Sequence, residues 1–275
     1  MTKTMADSVK QAAPSLVIQE VGQNGSDNVV INHKRPPFDN PAVRRAISLA
    51  MDRHAFVQGV RHGGAVIGAS MMPKPFGIWG LPDQDFKTLP GYRGSAVDKR
   101  GGEAPPRRRG LRTGKPLKVE LVTRTISIYL DVGSFVADQL RQVNVEASLK
   151  QMDTAAWFPA LARRDYQIGA NLTAGGFDDP DAYFFENYKC GASRNYTDYC
   201  NEETDRLIDQ QSQELDRAKR LKIVWEIQRK IEADVARPML SWRKEYFAHW
   251  PYVKNLVAHN SLYNYGRMQD VWLDK

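Results

Sequence analysis

The sequence predicts an α/β fold, and three patterns carry that prediction. Between Leu117 and Leu172, alternation with period two and helical spacing take turns in the order strand, helix, strand, helix, strand;. A second helical pattern opens at Asn40 and Pro41, and the residues from Met239 onward are dense in aromatics at alternating positions;. A chain of 275 residues with 42% hydrophobic content has enough apolar surface for one large core or two modest ones;.

In chain order, Val29, Val30 and Ile31 mark a strand over 27–33 that ends at Pro36-Pro37. Asn40 caps and Pro41 starts a helix over 41–59, with Val43, Ala46, Ile47, Ala50, His54 and Val57 on its apolar face and Arg44, Arg45, Asp52 and Arg53 on the wet one;. Residues 61–92, rich in Gly, Pro and Met, read as a long connection in which Met71, Met72, Phe76 and Trp79 pack on a neighbour. Leu117, Val119 and Leu121 form a strand, Val132, Val136, Leu140 and Val143 a helix face, and Val145, Ala147 and Leu149 a second strand;. Asp153 caps a helix carrying Trp157, Ala160 and Leu161, and Tyr166, Ile168, Ala170 and Leu172 complete a third strand;. Such units make parallel sheets whose ligands gather beyond the carboxyl ends of the strands. Two further helices follow over 202–213 and 216–235, and Pro238 ends the second. The aromatic tail reads as strands that finish a sheet elsewhere in the molecule.

The net charge of +7 is not spread evenly. From Arg93 to Arg112, seven Lys or Arg stand against Asp98 and Glu103, so this island supplies +5 and the rest is nearly balanced. Arg107, Arg108 and Arg109 offer a basic patch for nucleic acid, the alternative function, but no aromatic between Ser95 and Thr113 is present to stack on bases;. A solvated loop is the simpler expectation. No apolar run of membrane-spanning length occurs, and the opening MTKTMADSVKQAAPSL lacks the basic start and apolar core of a secretion signal;.

Just past the third strand, Gly175 and Gly176 turn into Phe177, Asp178, Asp179 and Asp181. Glycines admit positive φ and close approach, and three carboxylates in four positions suit an amine or a cation. Against that stands a plain acidic turn with Asp179 capping the helix that begins at Pro180. Cys190 and Cys200, the two cysteines, are separated by GASRNYTDY, a length that suits a disulfide in an oxidising compartment; two free thiols are the alternative;. Neither cysteine has a nearby His or a second Cys pair at zinc-ligand spacing, so no metal site is expected. The five histidines form no catalytic pattern with Ser or Cys, which disfavours an enzyme, and no cofactor motif is present;.

Four ordered stretches, PPFDNPAVRRAISLAMDRHAF, GGFDDPDAYF, KCGASRNYTDYCNEETDRLID and SLYNYGRMQDVWLDK, resemble the C-terminal half of the family 5 extracellular solute-binding proteins. These are the substrate-capturing subunits of bacterial ABC importers for peptides, nickel and related solutes. The resemblance implies the C-terminal lobe of a bilobal, type II-like periplasmic binding protein that closes on its ligand. It divides the chain into an entry segment over 1–39, a ligand-binding lobe over 40–235 and hinge-crossing strands over 236–275. It assigns Gly176, Phe177, Asp178 and Asp179 to the interlobe cleft, with Trp157 as a further ligand candidate. The implied partners are a small solute (a peptide, an amino-acid conjugate or a nickel complex) and the importer's permease subunits, in the periplasm, with no nucleic acid. Two departures accompany the resemblance. Members are about twice this length, so the chain is expected to be truncated and, alone, to bind ligand weakly. Where they carry an Ala, Arg, Leu and Glu-rich helix and a Gly-Tyr-Gly-Pro-like turn, this chain has KRGGEAPPRRRGLRTGK, the expected product of a compensated reading-frame shift over 93–114.

Overall fold

The computed structural model describes residues 1–94, 115–259 and 268–275. Six strands, β1 (Val17–Ile31), β2 (Ala65–Val66), β3 (Leu117–Arg124), β4 (Val145–Met152), β5 (Ile168–Ala174) and β6 (Met239–His249), form one sheet in the order β2-β6-β1-β5-β3-β4. β7 (Val253–Lys254) and β8 (Trp272–Leu273) make a separate small ribbon. The helices are α1 (Lys3–Ala12), α2 (Pro41–Ala50), α3 (Arg53–Ala55), α4 (Asp83–Phe86), α5 (Ser127–Arg141), α6 (Thr154–Ala162), α7 (Pro180–Asn187), α8 (Glu202–Gln213) and α9 (Arg217–Ala233). None is long and apolar enough to cross a membrane among the described residues.

The alternating unit behaves as its pattern requires. β3 pairs in parallel with both β4 and β5, because α5 and α6 carry the chain back between successive strands;. Asp153 caps α6 by accepting from the Ala156 N–H at 2.8 Å;. One sheet face packs Val29, Ile31, Leu121 and Ile168 against Val132, Val136 and Leu140 of α5 and Ile47 of α2. Val30 and Val122 point the other way, onto Trp157 and Leu161 of α6;. Helices on both faces explain why these strands carry apolar residues on both sides. A second core joins α7, α8 and α9 to Met71, Met72 and Trp79, so the 61–92 connection packs on a neighbour as expected.

The unit's three strands are parallel as expected, within a sheet that is mixed overall, since β1 runs antiparallel to both β5 and β6. Other expectations are corrected. The strand expected over 27–33 begins at Val17: its first part carries Gln19, Glu20 and Gln23, polar residues that suit a half-exposed ribbon but hide a strand from apolar counting. The first part of the tail finishes this sheet and not another, since β6 enters between β1 and β2, while β7 and β8 pair apart from it. The helix over 41–59 breaks after Ala50, where Asp52 caps a new turn by accepting from the Ala55 N–H at 2.9 Å, and Phe56–Val60 continues as a π-helix. That break rotates the helical phase. Arg53, expected on the wet face, is 1% exposed, and its guanidinium donates to the carbonyls of Ser48 and Gly91 and lies 4.2 Å from the Tyr92 ring centre. His54 turns outward instead. Arg44 is buried too, donating to the carbonyls of Phe38 and Asp39. The basic island falls outside the described residues except for Arg93 and Gly94, and Arg107, Arg108 and Arg109 are among those not described.

Candidate functional site

The carboxyl ends of β3 and β5 open onto one edge of the molecule, and the acidic turn stands there. Ala174 pairs with Gly25 of β1, and the Gly175 N–H donates to the Asn24 carbonyl at 2.8 Å. The Tyr183 hydroxyl donates to the same carbonyl at 2.8 Å, which seats its ring against Gly175. A Cβ at Gly175 would lie 2.7 Å from that ring, so glycine is required here by contact; neither Gly175 nor Gly176 has positive φ. Phe177 projects from the rim, 54% exposed, and Ile78, 45% exposed, belongs to the loop that Asp178 holds.

The three carboxylates have separate duties. Asp179 caps α7 by accepting from the Asp181 N–H at 2.9 Å and pairs with Arg220 of α9 at 3.1 Å. Asp181 accepts from the Ser212 hydroxyl at 2.9 Å and from Gln211, and lies 3.5 Å from the same guanidinium. Arg220, positioned 4.8 Å over the Trp79 ring, thereby ties α7 to α9. Asp178 instead accepts from the Ile78 N–H at 2.9 Å, and its backbone carbonyl accepts from the Trp79 indole at 3.0 Å. Its Oδ1 is buried with no partner among the described residues. Burial pushes the Asp178 carboxyl up to about 6, against the opposing pull of the Ile78 N–H and with the help of the neighbouring Asp179 charge;. Of the acidic group, Asp178 alone keeps an uncommitted oxygen.

Trp157 is placed differently from its expected role. It is 0% exposed beneath the crest, edge-on to Tyr129 with ring centres 6.2 Å apart. It supports the crest from below and meets no solvent. Cys190 and Cys200 are joined by a disulfide that closes the loop between α7 and α8, with Cα atoms 4.6 Å apart.

A cleft of about 490 Å³ lies in the region where α5 begins, bounded by Val60–His62 and Gly64, by Ser127, Ile128 and Asp131 of α5, by Gln23 of β1 and by Arg243–Glu245 of β6, with residues 1–5 across it. Two arginines line this cleft, and spacing in the sequence pointed to neither. Arg61 is committed: its Nε and Nη2 donate to the two oxygens of Asp27 at 2.9 and 2.6 Å, and Ser241 also donates to that buried carboxylate at 2.7 Å. Arg243 has no ion pair among the described residues, its Nε is buried without a partner, and its Nη2 stands where a side chain at Gly25 would begin. The register of β1 against β6 shifts between Gly22 and Ser26, and this bulge takes residues 23–25 out of the pairing with β6 beside the cleft;. The Asn24 side chain within it is fully buried with neither polar atom paired among the described residues. The WRKEYF alternation marks Arg243 as a strand residue, but its neighbours across the sheet decide that it faces this cleft with no ion pair among the described residues. Chemically, the cleft wall offers a cation with no ion pair among the described residues, while the acidic turn, which does not line this cleft, offers a raised carboxyl and the exposed Phe177.

The family of bacterial extracellular solute-binding proteins, family 5 Middle, matches residues 2–195 of this chain. A probable di/tripeptide-binding protein 5 of Pseudomonas aeruginosa is 28% identical over 189 residues, which are 66% of this chain and 33% of that protein. The oligopeptide-binding protein OppA of Bacillus subtilis is 24% identical over 202 residues, 70% of this chain and 35% of that one. Among solved structures, the oligopeptide-binding protein AppA of Bacillus subtilis in complex with a nonapeptide superposes with a TM-score of 0.75 at 20% identity, covering 98% of this chain and 55% of its own. Haemophilus influenzae OppA in complex with RPPGFSPFR gives 0.78 at 16% identity, covering 99% of this chain and 52% of its own; these two show a shared fold. The chain thus spans about a third of the length of the curated relatives it matches. With an α/β fold and a family match over most of its length, the chain belongs to the bacterial extracellular solute-binding proteins of family 5.

Proposed function

We propose that this chain supplies a solute-capturing lobe to the substrate-binding subunit of a bacterial ABC importer, working in the periplasm on peptides and performing no chemistry on them. The observation that carries this reading is Arg243, without an ion pair among the described residues, on the wall of a cleft at the crest of the sheet, with Phe177 exposed on the acidic turn nearby in the fold. A guanidinium without a counter-ion attracts a carboxylate, which every free peptide carries at its C-terminus. The exposed Phe177 and Ile78 give apolar contact area;. The relatives' names support peptides over a nickel complex or an amino-acid conjugate.

The domain division follows from the same reading. Residues 17–22 of β1 pair with 244–249 of β6 as a two-stranded ribbon beyond the part of β1 that pairs with β5. This ribbon is the proposed hinge, entered by the segment over 1–39 and left by the strands over 236–275, with the lobe over 40–235 between them. Closure about such a hinge shields the ligand from water and strengthens its polar contacts.

Heteronuclear NMR on the isotope-labelled chain, titrated with dipeptides to nonapeptides, tests the reading. Peptides should shift the amide signals of Gly25, Gly175, Gly176 and Phe177 at submillimolar to millimolar concentration, weak because a single lobe encloses little of the ligand. Arg243→Ala should weaken that response about tenfold or more, and amidating the peptide C-terminus should do the same to the wild-type chain. Nickel ions and free amino acids serve as comparison ligands. A response to nickel alone, or none to any peptide, would overturn the proposal.

A further inference from the structure

We propose that the outer edge of β4 is a self-association surface, where a second copy of this chain adds its own β4 antiparallel with Ser148 opposite Ser148. β4 is the terminal strand of the sheet, and among the described residues no strand pairs with its outer side. Its eight residues are in unbroken register with β3, without proline or bulge, so it lacks those two common ways of blunting an edge;. Glu146, Ser148, Leu149, Lys150 and Gln151 are exposed. The outward backbone groups are identified by the inward ones. Leu117 N–H donates to the Asn144 carbonyl and Thr125 N–H to the Met152 carbonyl, so even-numbered carbonyls face β3. Along a strand these groups alternate, and Val145, Ala147, Leu149 and Gln151 therefore point their N–H and C=O groups outward.

A two-fold antiparallel pairing must match outward groups with outward groups, which requires odd residues opposite odd residues. Pairing about Ser148 does this, placing Ala147 opposite Leu149 and Val145 opposite Gln151. It also places Glu146 opposite Lys150 twice, at positions without mutual backbone hydrogen bonds, where facing side chains come closest;. Shifting the centre to Ala147 or Leu149 keeps the backbone match but separates the charges, and centring on Glu146 or Lys150 sets like charges against each other. Complementary charge thus selects one register and one occupant, a second copy. Lys150 now pairs with Glu120 at 2.9 Å, but both are about half exposed, and exposed pairs hold weakly;. Glu146 has no ion pair among the described residues.

Sedimentation equilibrium over a concentration series is the experiment. The apparent mass should rise from 31.2 kDa toward twice that value as concentration increases. Glu146→Lys or Lys150→Glu alone should raise the dimer dissociation constant about tenfold, since each turns two attractive pairs into two repulsive ones. The double variant Glu146→Lys with Lys150→Glu should restore the wild-type value. Leu149→Pro removes an outward N–H and should abolish the dimer, its melting midpoint showing whether the monomer fold persists. A monomer at every concentration overturns the proposal. So does a dimer unmoved by single charge reversal, or one that the double variant fails to restore, since either result assigns association to another surface.

Discussion

Asp178 and Glu232 are two carboxyls that the fold keeps protonated above the ordinary range. Burial pushes Asp178 up to about 6 and Glu232 up to about 7, the latter against the lowering influence of the Tyr92 hydroxyl at 2.7 Å and of the Arg53 charge. Each binds its proton more tightly in the folded chain than in the unfolded one, where the ordinary values are 3.8 and 4.5. Their stabilising contribution is therefore full below those values and is lost as pH rises through about 6 and about 7. Asp178→Asn and Glu232→Gln should each flatten the fall of the melting midpoint over that window. Above it, each should raise stability by about 1 kcal/mol, a figure reduced for residual solvent exposure. Denaturant unfolding at several pH values checks this, and equal pH slopes in wild type and variants would contradict it. At Gly175 the issue is volume: Gly175→Ala would press a methyl into the Tyr183 ring at 2.7 Å, and a stability loss of about 1–3 kcal/mol is expected in thermal melts;.

Besides their shared apolar core, α7 and α9 are joined by one guanidinium serving two carboxylates. Arg220 joins Asp179 and Asp181 while Asp179 also caps α7, so Asp179→Ala removes a cap and an ion pair together. The expected loss is about 1–2 kcal/mol, with Arg220→Ala and the double variant less than additive to it. Additive losses in chemical denaturation would show that the residues act independently. Below these helices, the Cys190–Cys200 bond closes a short loop between α7 and α8. Replacing both cysteines by Ala should lower stability by about 2–3 kcal/mol in the chain-entropy account. Mass spectrometry of non-reduced, exported protein should find no alkylatable thiol.

At the scale of the whole molecule, one sheet serves every proposed role. Its crest carries the cleft, its long central β1 carries the ribbon proposed as a hinge, and its β4 edge lies at the far side of the strand order. The capture and self-association proposals are therefore separable. Arg243→Ala should reduce the response to peptides and leave the dimer constant unchanged, while Lys150→Glu should do the reverse. Measuring both quantities on both variants would detect any coupling between crest and edge.

The sequence by itself determined the parts that depend on short-range pattern. The alternation from Leu117 to Leu172 specified three parallel strands and two helices, and Asn40, Asp153 and Asp179 announced helix starts through groups only two or three residues apart. The acidic turn was legible as a cluster, and as a cap, for the same reason. What those carboxylates are joined to was not legible, because Arg220 lies about forty residues away and reaches them only when α9 packs on α7. Arg53 and Trp157 were misplaced for a related cause: a broken helix changes phase, and a single aromatic in an amphipathic helix shows no sign of how deep its neighbours cover it. The tertiary structure alone decided that β6 would enter beside β1, that the bulge over 23–25 would open at the crest, and that Arg243 would face a cleft with no ion pair among the described residues. Each of these depends on strand pairing across more than two hundred residues, and period-two alternation states which side a residue faces without stating what it meets there.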